Sequence, residues 1–106
     1  MIKFLEYEGK KYPVRVSYYA IKMLKEDIGR SLIGMADDDF EAQELLLYYS
    51  LKMGARKTGE EFTLTKLDME NMMDEVYMDF MKIIPEFFPK NEQAKVKGGK
   101  SQVEKK

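Results

Sequence analysis

The segment LDMENMMDEVYMDFMKIIPEFF, residues 67–88, constrains the fold of this chain more than any other. Wound as a helix at about 100° per residue, it spreads Met69, Met72, Met73, Val76, Tyr77, Phe80, Met81, Ile83, Ile84, Phe87 and Phe88 over roughly half the circumference, whereas an ordinary surface helix carries an apolar stripe only ~100° wide. One small domain is not expected to cover that surface unaided, so part of it is expected to meet another molecule. Met69, Met72, Met73, Met78 and Met81 make the surface adaptable as well as apolar, because unbranched thioether side chains repack against different shapes. The pattern points to binding rather than catalysis. The residues expected to meet a partner are Met69, Met72, Met73, Val76, Tyr77, Phe80, Met81, Ile84, Phe87 and Phe88.

Composition narrows the chemistry further. With no histidine, cysteine or tryptophan in 106 residues, the chain has no imidazole base, no thiol nucleophile, no soft metal site and no disulfide. No catalytic residue, cofactor site or metal site is expected. A chain of this length buries roughly two-thirds of its extended surface, enough for one domain with a core. No signal peptide and no apolar run of about 18 residues occurs, so an intracellular soluble protein without a membrane partner is expected.

Charge divides the chain into two materials. Residues 1–89 carry 12 Lys and Arg against 17 Asp and Glu, a net of −5, whereas residues 90–106 carry six Lys and two Glu, a net of +4. That second stretch has no aromatic residue and only Ala94, Val96 and Val103 as apolar side chains, too few to offset the entropy of ordering it. Residues 1–89 are therefore expected to form a single folded domain, followed by a disordered, lysine-rich tail over 90–106.

Within the domain, Ile2/Phe4 and Tyr12/Val14/Val16 alternate about Glu8-Gly9-Lys10, which reads as two short strands and a turn. Pro13 cannot donate to a ladder, so its strand is expected at an edge or with that position turned outward. Ser17 reads as the N-cap of a helix to about Ile28 with Gly29 as its stop. Ala20, Ile21, Leu24 and Ile28 form its stripe. Asp38 with Glu41 resembles a capping box opening a helix over about 40–56. Apolar on nearly all sides, that helix is expected at the centre. Thr65 with Asp68 reads as a similar start to the Met-rich helix, which Pro85 is expected to kink or end. The fold class is α+β, mostly helical: a short N-terminal β-hairpin, about three helices and a disordered C-terminal tail.

Other candidate sites have plainer readings. Asp37-Asp38-Asp39 offers oxygen ligands for a hard cation but lacks the spaced ligands of a calcium loop, and it fits helix capping better. Glu60/Glu61 and Asp74/Glu75 read as solvated neighbours rather than acid/base pairs. Gly98-Gly99-Lys100 lacks the length and flanking strand of a phosphate loop. In Tyr18-Tyr19 and in Tyr48-Tyr49, one ring is expected in the core and one outside. A small prophage-encoded nucleic-acid-binding regulator is the alternative reading, but Asp68, Glu70, Asp74, Glu75, Asp79 and Glu86 on the last helix face only Lys66 and Lys82, so nucleic acid is not the expected partner.

The order of elements resembles the tail assembly chaperones of long-tailed bacteriophages and prophages. The resemblance is carried by a hairpin containing Gly9-Lys10-Lys11-Tyr12, by YYAIKMLKEDIGRSL at 18–32, by LLLYYSLKMGA at 45–55, and by LTKLDMENMMDEV at 64–76; it covers about residues 2–84. It implies a non-enzymatic protein that binds the tape-measure protein and helps recruit the tail-tube protein. It also implies a cytoplasmic location in the bacterial host rather than in the mature virion. In many members a frameshift yields a longer second product. A homo-oligomer formed through the Met-rich surface is expected as well.

Overall fold

The computed structural model describes residues 2–30 and 38–87. It has the expected α+β architecture, an antiparallel hairpin followed by three helices. Strands β1 (Lys3–Tyr7) and β2 (Lys10–Val14) are joined by Glu8-Gly9. Both turn residues have positive φ, 51° and 79°, the backbone of a two-residue hairpin turn whose twist matches the strands it joins.

The register pairs Tyr7 with Lys10, Leu5 with Tyr12 and Phe4 with Pro13. Counting outward from the turn, hydrogen-bonded and non-hydrogen-bonded pairs alternate, and Phe4–Pro13 falls on a non-hydrogen-bonded pair. Pro13 therefore costs the ladder nothing, since its nitrogen points away from β1. The same register decides which face of β1 enters the core. Leu5, 2% exposed, is the β1 residue in the core, while Phe4 lies on the other face and is 56% exposed. Ile2 and Phe4 share a face with each other but not with Val14, because cross-strand partners stand on one side of the sheet.

Helix α1 (Tyr18–Ile28) has the ends read from its sequence. The Ser17 hydroxyl accepts from the Ala20 amide at 3.3 Å, and Gly29, with φ of 75°, donates its amide to the Lys25 carbonyl at 2.8 Å. Ala20 and Leu24 are buried, with Ile21 and Ile28 packed at their margin.

Helix α2 (Phe40–Thr58) is the central element, lying against α1, β2 and the last helix. Its cap is Asp39 rather than Asp38. The Asp39 carboxylate accepts from the Ala42 amide at 3.3 Å, and the Arg30 guanidinium grips both of its oxygens, at 2.8 and 2.7 Å, while reaching Glu41 at 3.2 Å. With the cap moved on by one residue, Glu41 becomes an ion-pair partner instead of closing a capping box. This fork ties the end of α1 to the start of α2. The guanidinium also holds the Asp39 carboxyl below the usual carboxylate range.

Ser50 and Gly54, one turn apart on α2, are the small residues against which β2 packs. The Ser50 carbonyl accepts from the Arg15 amide at 3.0 Å, and Gly54 lies directly over the Pro13 carbonyl. The Ser50 hydroxyl is fully buried and meets no hydrogen-bond partner among the described residues. A buried hydroxyl without a partner costs ~1–3 kcal/mol in desolvation. Ser50→Ala is therefore expected to raise stability by about 1 kcal/mol, seen as a higher denaturant midpoint at unchanged slope.

Helix α3 (Asp68–Ile83) gives way to a 3₁₀ turn over Ile84–Phe87. Pro85 ends the α-helix, as its missing N–H requires. At the other end, only half of the expected capping box forms. The Asp68 carboxylate accepts from the Thr65 amide at 2.7 Å and from its hydroxyl at 3.0 Å, so the threonine oxygen faces the carboxylate rather than a helical amide. The core is built from Leu5, Val14 and Val16 of the hairpin segment, Leu24 of α1, Ala42, Leu46, Leu47 and Leu51 of α2, and Met69, Met72, Val76 and Phe80 of α3. The stretch over 90–106, expected to be disordered, lies outside the described residues, as do Asp37 and Phe88.

Candidate functional site

Nine of the ten residues expected to meet a partner are described, on α3 and the turn after it, and they fall into two sets. Met69, Met72, Val76 and Phe80 are 0–1% exposed and fill the core against α2 and the hairpin. Spaced i, i+3, i+7, i+11, they form the helix's inward seam. They are packed inside the chain, so the sector of the Met-rich surface that this fold leaves open lies elsewhere on the helix. The apolar arc is wide because it serves the core first, and a central α2 plus one hairpin face cover about half of it.

The second set is Met73, Tyr77, Met81, Ile84 and Phe87. All five are half-buried. At 100° per residue, Met73, Ile84, Tyr77 and Met81 follow one another within about 80°, immediately beside the core seam. Met73, Met81, Ile84 and Phe87 rest one edge on the core and turn the other to solvent. Met78, left out of the sequence-based set, is 66% exposed. It extends the apolar strip toward the outer face among Asp74, Glu75 and Lys82, all exposed. The surface is thus a narrow, Met- and Tyr-bearing flank bounded by acidic residues.

The start of α3 is held by a cluster that sequence spacing gave no means of finding. The Tyr49 hydroxyl donates to Asp27 Oδ2 at 2.5 Å, and the Lys66 ammonium donates to the same oxygen at 2.9 Å. Lys66 also lies over the rings of Tyr48 and Tyr49, 5.7 and 5.5 Å from their centroids, an arrangement attractive through the ring quadrupole. Tyr19 packs edge-on to Tyr49, and Tyr48 edge-on to both Tyr49 and Phe62. The adjacent pairs divide less sharply than expected: Tyr49 is buried but Tyr48 is half-buried against the core, and Tyr18 is exposed but Tyr19 only half-buried.

The titration shifts in this cluster have a common sense. The hydrogen bond from Tyr49, then that from Lys66, lowers Asp27; the hydrogen bond to Asp27 raises Lys66; burial, then Asp27, raises Tyr49. Each shift moves its group away from neutral pH, which suits a staple among α1, α2 and α3 and not proton transfer. Because the folded pKa of Asp27 lies below its unfolded value, its contribution to stability is present above the unfolded value and is lost as pH falls through the folded one. Acid titration of stability is expected to fall less steeply below about pH 4 in Asp27→Asn than in the parent chain. Chemical denaturation at a series of pH values reads this difference.

Among the described residues, no group of three or more acidic side chains is placed to hold a metal, and no helix is long and apolar enough to cross a membrane. A shallow hollow of about 270 Å³ is lined by Arg15, Met53, Arg56 and Lys57; sequence reading did not single it out, since Arg15 joins the others only through the packing of β2 on α2. Compared with models of known families, with curated proteins and with solved structures, the chain matches none.

Proposed function

We propose that this chain is a non-enzymatic assembly chaperone of the phage-tail kind, binding the tape-measure protein as an extended, helical, apolar client and helping to bring tail-tube subunits to it. The observation that carries the reading is the flank of α3 formed by Met73, Tyr77, Met81, Ile84 and Phe87, with Met78 beyond it. It is an apolar strip that continues past the core seam along the helix into the following turn. A client helix laid in such a strip is read through side chains spaced i, i+3, i+4 and i+7, and methionines let one surface accept successive, non-identical segments of a long client. The acidic rim of Asp74, Glu75 and Asp79 disfavours nucleic acid as the occupant. The resemblance of the hairpin, the two following helices and the LTKLDMENMMDEV segment to tail assembly chaperones supplies the identity of the client.

The reading expects a gene for a long coiled-coil-like protein beside that of this chain, and co-expression with that protein, followed by pull-down, tests it. Tyr77→Glu with Met81→Glu is expected to reduce client retention at least about tenfold, as loss of central aromatic anchors does at interfaces, while the circular dichroism spectrum stays unchanged. Equal retention by parent and variant would remove the α3 flank as the client site. Sequence-selective retention of DNA by the purified chain would overturn the chaperone reading itself.

A further inference from the structure

The hollow between β2 and α2 has a chemistry opposite to that of the α3 flank. Arg56 and Lys57 sit in the last turn of α2, where cations offset the negative end of the helix dipole. That role accounts for two of the charges but not for Arg15, which follows β2 and is brought alongside by its amide bond to the Ser50 carbonyl, 3.0 Å. None of the three cationic side chains has an ion pair or hydrogen bond with a described residue. Other described cations either pair with acids, as Arg30 does with Asp39 and Glu41, Lys66 with Asp27 and Lys3 with Glu86, or stand outside this hollow. Three unpaired cations from two elements thus converge on one concavity of a domain whose net charge is −5.

We propose that this hollow is a docking site for an acidic peptide segment, with Arg15, Arg56 and Lys57 taking its carboxylates and Met53 taking an apolar side chain between them. Three features select this occupant. The volume, about 270 Å³, is several times that of a single tetrahedral anion and suits consecutive side chains of a peptide. Met53 gives the hollow an apolar lining, which a phosphate cannot use and a peptide can. A long polyanion such as nucleic acid would also have to run over a domain surface of net charge −5, whereas a short acidic segment engages the hollow alone. Arginine forks pair with carboxylates in bidentate geometry, so Arg15 and Arg56 set the orientation and Lys57 adds charge. The site lies on β2 and α2, so it stands whether or not the α3 flank binds the proposed client.

Fluorescence anisotropy with the full chain and a labelled Glu-Glu-Met-Glu-Glu peptide is the test, run at low salt and at about 0.15 M salt. Saturable binding is expected, weakened at least about tenfold in Arg15→Gln and in Arg56→Gln and lost when the peptide glutamates are replaced by glutamine. The triple variant Arg15→Glu/Arg56→Glu/Lys57→Glu is expected to bind the corresponding lysine peptide instead, a gain that a misfolded variant cannot show. The Met53 methyl resonance is expected to shift on titration with the glutamate peptide. Binding that persists in the Arg15→Gln/Arg56→Gln double variant would place the peptide on the lysines of 90–106 and overturn the proposal. Inorganic phosphate or oligothymidylate moving the Met53 resonance while the peptide leaves it still would overturn it as well, as would displacement of the peptide by self-association seen as mass growing with concentration.

Discussion

Gly54→Ala is expected to cost at least about 3 kcal/mol, the upper end of what overpacking a well-packed interior costs. A Cβ at this position would stand 2.2 Å from the Pro13 carbonyl oxygen and 2.5 Å from its carbon, and both are backbone atoms with no rotamer through which to yield. Relief requires sliding β2 off α2, which would pull the Arg15 amide from the Ser50 carbonyl and lift Val14 and Val16 out of the core. For a domain of this size the midpoint of thermal unfolding should fall by roughly 12–24 °C. Lys52→Ala, on an exposed position two residues earlier, should stay within about 0.5 kcal/mol. If Gly54→Ala unfolds as the parent does, β2 does not lie on α2 in the manner described.

That contact also shows where sequence reading stops. The ends of α1 were legible because Ser17 and Gly29 act on amides three or four residues away, and a cap is a local device. Pro85 was legible for the same reason. The centrality of α2 followed from its all-round apolar pattern, since no surface helix buries Leu46, Leu47, Leu51 and Tyr49 together. The Asp38 cap was misplaced by one residue because three consecutive aspartates offer the same chemistry, and only Arg30, nine residues back, selects Asp39. The face of β1 was not legible because Phe4 and Leu5 are both good core residues, and the register that chooses between them is set by the Glu8-Gly9 turn rather than by hydrophobicity. The Asp27–Tyr49–Lys66 staple and the Arg15–Met53–Arg56–Lys57 hollow each join separate elements, so no spacing along the chain announces them.

The α3 surface was legible as unusual but not as divided. A helical wheel measures the width of an apolar arc and is silent on how much of that arc neighbouring elements take. Here Leu46, Leu47 and Leu51 of α2 and Leu5 and Val14 of the hairpin take the sector of Met69, Met72, Val76 and Phe80. What remains, from Met73 round to Met78, is the portion on which a partner can act.

Phe80→Ala and Tyr77→Ala separate the two sectors experimentally, three residues apart on one helix. Phe80 is 0% exposed and the largest fully buried side chain of the described residues, so its truncation removes a ring from the point where α3 meets the core. The expected loss is about 3–5 kcal/mol, the transfer free energy of the ring plus the cavity it leaves, with a fall in the thermal midpoint of roughly 15 °C or more. Tyr77 stands about 60° around the helix from Phe80, half-exposed and outside the core cluster. Tyr77→Ala should therefore shift stability by less than about 1 kcal/mol while removing an amphipathic ring of the kind that anchors interfaces. Client binding should fall in Tyr77→Ala at temperatures where both proteins are folded. In Phe80→Ala any loss of binding should track the unfolded fraction and disappear when denaturation is allowed for. A small stability change at Phe80 together with a direct loss of client binding would reverse the assignment and put the inward seam of α3 at the interface.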